Sequence, residues 1–285
     1  LRTCEETHPE CPKNNFTPEL PSYVVGVSPD LPGITARLHK PAAGEKAKCL
    51  CLIYCWGTKG QLTTTKSTLG VHMEALPVHQ LGLIIQDAIT TTRRLGFRYL
   101  WVDALCITQN NEVHKASEIK SMASIYQNAT AVISAAAASA SSEGFLAVER
   151  HFSANHPLDS RAWALQEHKL ANRKFVFSSA ELLVECRAAP RYSSRRSLRP
   201  SLLSYSSYNW SGNRRWMDLV QMYSSRALTD PEDRLNAFEG IAGEIEIRSG
   251  KKVRYGVPQF GCEVFSWFTA VPAQARSARA PSWSW

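Results

Sequence analysis

The sequence predicts an α/β fold, a parallel sheet flanked by helices and followed by a C-terminal helical extension. Three observations predict it. Cys49–Cys55 and Tyr99–Ile107 are short, almost wholly apolar runs, as in strands buried on both faces. Leu83–Leu95 and Glu112–Tyr126 carry apolar residues at helical spacing. Strand, helix, strand, helix and a third strand in this order imply right-handed crossovers, which put helices over the faces of a parallel sheet.

Taken in order, residues 1–46 form a Pro-rich lead-in (Pro9, Pro12, Pro18, Pro21, Pro29, Pro32, Pro41) that argues against long helices. Tyr23–Val27 and Thr35–Leu38 are its candidate strands. The α/β domain spans 47–186. Its first strand, Cys49–Cys55, is bounded by Gly57, Lys59 and Gly60. In the first helix Ile84, Ile85, Ala88, Ile89, Thr92 and Leu95 share a face, with Arg93, Arg94 and Gly96 as stop signals. Tyr99–Ile107 is the second strand. In Glu112–Tyr126, Ile119, Met122, Ala123 and Tyr126 share a face. Thr130–Ala136 is the third strand. Pro157–Leu170 reads as a helix opened by Asp159 or Ser160, and Lys174–Ser178 and Leu182–Cys186 as short strands. A basic linker occupies 187–215. The extension, 216–285, holds helices at Trp216–Ser225 and Asp233–Ile247, the second with Thr229 and Glu232 spaced as a capping box and Pro231 in its first turn.

Hydrophobic residues make up 44% and charged residues 20%, enough to bury a core. No run reaches the roughly 18 apolar residues a membrane span needs. The longest candidate, Ala129–Ala140, is too short. No signal peptide is legible, but the chain starts at Leu1 rather than Met and a fragment is the rival reading; the sparse, apolar cysteines point to a reducing compartment, and the expected location is cytoplasmic. Eight cysteines are too sparse for a disulfide scaffold, and Cys49, Cys51, Cys55 and Cys106 sit in apolar runs as small hydrophobes. The net charge is +8, and Arg187–Arg215 alone contributes seven arginines, no acid and eight serines. That segment reads as a solvated linker. A patch for RNA or anionic lipid and a gene-model error are the rival readings, and nucleic acid is not the expected partner.

Several residues are candidates for chemistry. Glu118 has Met122 and Ile125 at i+4 and i+7, which puts it at the edge of the buried stripe, where desolvation raises a carboxyl pKa. The plainer reading is an acid near a helix start, favoured by the macrodipole. Asp103 is the one charged residue in its apolar run, and a buried acid must be paired: it either orients a ligand at the C-terminal edge of the sheet or bonds to the following loop. Tyr54 and Trp56 next to Gly57 make a wall for a flat ligand or a cap on the sheet. Arg161, Trp163, Gln166 and Glu167 cluster on one short helix, where Arg161 and Trp163 either face an anionic ligand or clamp the helix to the domain. No phosphate loop, dinucleotide fingerprint or Cys–His nucleophile motif is present. Cys4, His8 and Cys11 offer three soft ligands that one more, such as Cys49 or Cys51, would complete. With no partner pair visible, no metal is assigned to them.

Longer motifs carry a family resemblance. Cys51-Leu-Ile-Tyr-Cys-Trp-Gly57, the block from Gln86 to Ile107, and Glu118, Met122, Ile125, Tyr126 and Ala129 resemble successive motifs of the heterokaryon incompatibility (HET) domain of filamentous fungi. Ser160-Arg-Ala-Trp-Ala-Leu-Gln-Glu167 and Trp216 to Ala242 are similar to its later motifs. Cys4, His8, Cys11 and Pro281–Trp285 look like its flanks. Two features depart from the pattern: Ile53 stands where the family usually has Ser, and Arg187–Arg215 matches nothing in it. The chain stops at Trp285, where family members commonly continue. The resemblance implies fungal non-self recognition and programmed cell death. The rival reading is a non-enzymatic module that signals by self-association, with Glu118 and Asp103 structural; self-association or an upstream sensor is the expected partner. It also implies a distant likeness to Toll/interleukin-receptor (TIR) domains, some of which cleave NAD with one helical Glu. On that likeness the chain has no resident cofactor, NAD is a substrate and Glu118 is the catalytic residue. Tyr54, Trp56, Gly57, Asp103, Arg161 and Trp163 would then hold the ligand. The expectation that ties these together is one concavity shared by Glu118 and the Trp56 corner.

Overall fold

A computed structural model describes residues 1–13, 15–27, 35–58, 60–147, 153, 156–188, 190–192 and 213–259. The lead-in begins with a short helix, α1 (Arg2–Thr7), that ends before Pro9. Two strands follow, β1 (Val24–Val27) and β2 (Ala36–His39), paired antiparallel. Then come β3 (Cys49–Ile53), α2 (Leu69–Glu74), α3 (Leu83–Arg94) and β4 (Tyr99–Trp101). A single helical turn, α4 (Asp103–Cys106), leads to α5 (Glu112–Asn128) and β5 (Ala131–Ser134). Beyond it lie α6 (Ala162–Leu170), β6 (Arg173–Phe177), β7 (Leu182–Cys186) and β8 (Pro190–Tyr192). The described chain ends with α7 (Asn213–Ser224), α8 (Asn236–Ser249) and a small hairpin, β9 (Val253–Arg254) with β10 (Val257–Pro258).

The main sheet has eight strands in the order β2-β1-β4-β3-β5-β6-β7-β8. Its four central strands, β4, β3, β5 and β6, are parallel. This is the α/β sheet flanked by helices that the apolar runs predict. Both margins are antiparallel, through β1 and β2 on one side and β7 and β8 on the other. Burial explains the split. Every residue of β3 and β5 is buried, whereas β2 and β7 alternate between buried and more exposed positions, as strands with one wetter face do.

Helix α3 buries Ile84, Ile85, Ala88, Ile89 and Thr92, the face its spacing predicts, and Gly96 takes φ 78° just past its end. Asp87 of the same helix accepts from the amides of Phe145 (2.6 Å) and Leu146 (2.9 Å), tying down the loop after β5. Helix α5 buries Met122, Ile125 and Tyr126, and Tyr126 meets Trp101 edge-on at 5.7 Å. A second apolar cluster joins Ala162 and Leu165 of α6 to Trp216, Tyr223, Phe238 and Ile241 of the C-terminal helices. Among the described residues no helix is long and apolar enough to cross a membrane.

Four local expectations are corrected. Tyr99–Ile107 is a strand only to Trp101. Asp103 starts a helical turn, where its carboxylate accepts from the Ala104 amide at 2.7 Å. Pro157–Leu170 is broken at Arg161, whose extended backbone bridges Ala227, so neither Asp159 nor Ser160 opens α6. The cap before α8 is Asp230, accepting from the Glu232 amide at 2.9 Å, rather than Thr229. Within the basic segment, Pro190–Tyr192 is an edge strand and Arg187 lies 3.9 Å from Glu244; 193–212 lie outside the described residues.

Candidate functional site

Ligands of open α/β sheets bind at the carboxyl ends of the parallel strands. Here those ends hold four of the residues singled out in the sequence. Tyr54 and Trp56 leave β3, Asp103 follows β4, and Arg161 enters α6. The Trp56 indole donates to Asp103 Oδ2 at 2.9 Å. The Arg161 guanidinium donates to the Tyr54 carbonyl oxygen, and Gln61 Nε2 donates to the Tyr54 hydroxyl at 2.9 Å. Burial pushes the Asp103 carboxyl above its ordinary range, with Arg161, the Trp56 indole and the Ala104 amide pulling it back.

Gly57 completes the corner. Its φ of +82° suits glycine, and a Cβ there would lie 2.6 Å from the Ala140 Cβ. The loop after β3 can thus press against the loop after β5, where Ser141 donates to the Trp56 carbonyl oxygen at 3.3 Å. Trp163, in the first turn of α6, is half-buried and packs against both apolar clusters. No hydrogen bond joins it to the corner among the described residues.

Glu118 is elsewhere. It is buried in mid-helix, as its place at the stripe edge predicts, and burial raises its pKa against the pull of Ser22 and His114. His114 Nε2 lies 3.9 Å from its Oε1, and its Oε2 has no hydrogen-bond partner. A cleft of about 410 Å³ borders it, lined by Pro18–Ser22, Ala47, Cys49, Cys51 and one face of α5. None of Tyr54, Trp56, Gly57, Asp103, Arg161 or Trp163 lines that cleft. The single concavity expected from the sequence is therefore two places. The reason is the direction of α5, which starts near the carboxyl ends of the strands and runs back to the start of β5. A residue halfway along it is carried away from the corner.

The acid that couples electrostatically to the corner is Glu167, which the sequence places on a short helix with Arg161, Trp163 and Gln166. Every residue of helix α6 except Trp163 is buried, Gln166, Glu167, His168 and Lys169 in succession. Burial pushes the Glu167 carboxyl up to about 8; Arg161 opposes that shift and Asp103 adds to it. Burial also works against the Arg161 charge, but Glu167 and Asp103 outweigh it and raise its pKa. No described residue hydrogen-bonds the Glu167 carboxylate. Two acids within electrostatic reach of one cation can accept a positively charged ligand or stabilise positive charge that develops beside them. Glu167 lies six positions after Arg161, and nothing in that spacing signals a shared site.

Residues 50–173 match the family model of the heterokaryon incompatibility protein (HET). The chain carries a HET domain. The match runs from β3 to the start of β6 and contains the whole corner together with Glu118. A role in fungal heterokaryon incompatibility follows from it. No curated protein and no solved structure gives a significant match.

Proposed function

We propose that this chain is a cell-death effector of fungal non-self recognition whose HET domain hydrolyses NAD, with Glu167 as the acting carboxylate. The observation that carries this reading is the Glu167 carboxyl: buried, pushed up to about 8, and within electrostatic reach of Arg161 and Asp103. The resemblance to TIR domains supplies the substrate. In the reaction the bond between ribose C1′ and the nicotinamide nitrogen breaks, and its electron pair goes to that nitrogen, leaving neutral nicotinamide. Water adds to C1′ and its proton passes to solvent. The carboxylate stabilises the cationic sugar that forms between these events. The positive charge of bound nicotinamide favours the ionised acid. Half-buried Trp56 is the flat surface for the base.

Incubating the purified chain with NAD and measuring nicotinamide release tests this. Glu167→Gln should lower kcat by at least about 100-fold, as loss of a key electrostatic group does. Glu118→Gln should leave kcat within a few-fold of the parent. The reverse pattern would return catalysis to Glu118 and its own cleft.

The second reading is a non-enzymatic module that signals by self-association. It is favoured by the mutual bonding of Trp56 with Asp103 and of Arg161 with Tyr54, which a purely structural corner would also show. It predicts no NAD turnover by any variant, and loss of toxicity from surface substitutions that prevent oligomers.

A further inference from the structure

We propose that Cys4, His8, Cys11 and Cys186 form a structural zinc site that fastens the lead-in to the far margin of the sheet. Each offers one ligand atom, and these atoms all lie within 4.8 Å of one another. In a tetrahedral site with zinc–sulfur bonds of about 2.3 Å, sulfur atoms stand about 3.8 Å apart, so modest side-chain rotation closes the set around an ion. Three thiols and one imidazole are a donor set that selects zinc. Four protein ligands leave no open position, which makes the site structural rather than catalytic.

The local fold explains how they meet. Cys4 lies in α1 and His8 is its C-cap, one turn further on. The Cys11 amide then donates to the His8 carbonyl oxygen at 3.3 Å, which turns Cys11 back toward both. Cys186 ends β7, in register with Arg173 of β6. His8 Nδ1 and Cys186 Sγ are 3.2 Å apart, across 178 residues of chain. None of the four lies in the stretch that matches the HET family. Cys49 and Cys51, the partners the sequence offers, are buried in β3 instead.

Two further observations fit such an ion. Helix α1 has six residues and buries none of them, far below the length at which a helix holds itself together. Arg173 is buried and donates to the carbonyl oxygens of Thr130 and Pro12 and, at 3.2 Å, to Cys4 Sγ. No carboxylate among the described residues pairs with it. Three thiolates around a divalent ion carry one net negative charge, and Arg173 neutralises it through the sulfur it already touches.

The full chain, purified under reducing conditions with zinc present and then desalted, should hold about one zinc per chain. Cys186→Ser should reduce that to a small fraction, while His8→Cys, which keeps four ligands, should retain it. Because a serine variant can fail to fold, cobalt exchanged into the unaltered chain gives a second readout. Its spectrum should carry thiolate charge-transfer bands of the strength three sulfurs give, with the ligand-field bands of a tetrahedral ion. A metal-free reduced chain, a disulfide between any two of the three cysteines, zinc retained by Cys186→Ser, or a cobalt spectrum without sulfur bands would each overturn the proposal.

Discussion

The Trp56 indole donates to the Asp103 carboxylate at 2.9 Å, which locks the end of β3 to the first turn after β4. Two neighbouring parallel strands are thereby tied at the edge where the candidate site lies. Trp56→Phe keeps the ring and deletes the donor, leaving an acid in a half-buried network short of one partner. It should cost about 1–3 kcal/mol in urea denaturation. Asp103→Asn removes the charge and should cost less. The double variant should fall short of the sum by about 0.5–3 kcal/mol, because the two groups act on each other. Strict additivity would mean that the bond contributes nothing.

Gly57 predicts a steeper local effect. An alanine there meets both a left-handed backbone and the Ala140 Cβ at 2.6 Å. Each contributes about 1–3 kcal/mol. Gly57→Ala should therefore lower the denaturation midpoint more than Gly44→Ala, where φ is also positive (+75°) but nothing stands within 4 Å. Equal losses would show that backbone strain alone is felt.

Much of this fold is legible in the sequence because its signals are local. The burial of Ile84, Ile85, Ala88 and Ile89 follows from spacing alone, and the strand at Cys49 from an unbroken apolar run. The run Tyr99–Ile107 misleads because a strand and a helical turn look alike when both are buried all round. Asp103 in its middle was the clue to the change. The corner at Tyr54, Trp56 and Asp103 is legible through the rule that places ligands at strand ends. Glu167 and Cys186 are not, since each joins its partners only through the path of a helix or sheet margin.

The close approach of α5, α6 and α8 at Gly240 is another relationship that sequence alone does not show. A Cβ there would sit 2.6 Å from the Ala123 Cβ, 2.8 Å from Gln166 Oε1 and 2.8 Å from Leu170 Cδ1. The Gly240 amide also donates to Gln166 Oε1 at 2.7 Å. Gly240→Ala improves helix propensity by about 1 kcal/mol, but it must force three packed helices apart at about 1–3 kcal/mol or more. The predicted outcome is net destabilisation, read as a lower Tm. Gly243→Ala, on the same helix with open space around it, should raise Tm.

Glu167 makes stability depend on pH in a direction opposite to most acids. Its folded pKa of about 8 lies above the ordinary value of 4.5, so the folded chain keeps a proton that the unfolded chain gives up. Stability from this group is fully present below about 4.5 and falls as pH rises toward about 8, beyond which the loss is complete. Glu167→Gln holds the neutral shape at every pH and removes that loss. In thermal melts the variant should gain on the parent steadily from acid to mildly alkaline pH, and the gain should level off above about 8. The same ionisation governs the proposed reaction. With NAD as substrate, kcat/KM should climb with pH and reach its plateau near the point where the stability difference does. A flat Tm difference would mean that Arg161 holds the carboxylate ionised throughout. The acid at this corner would then be a permanent counter-ion, with no proton to titrate.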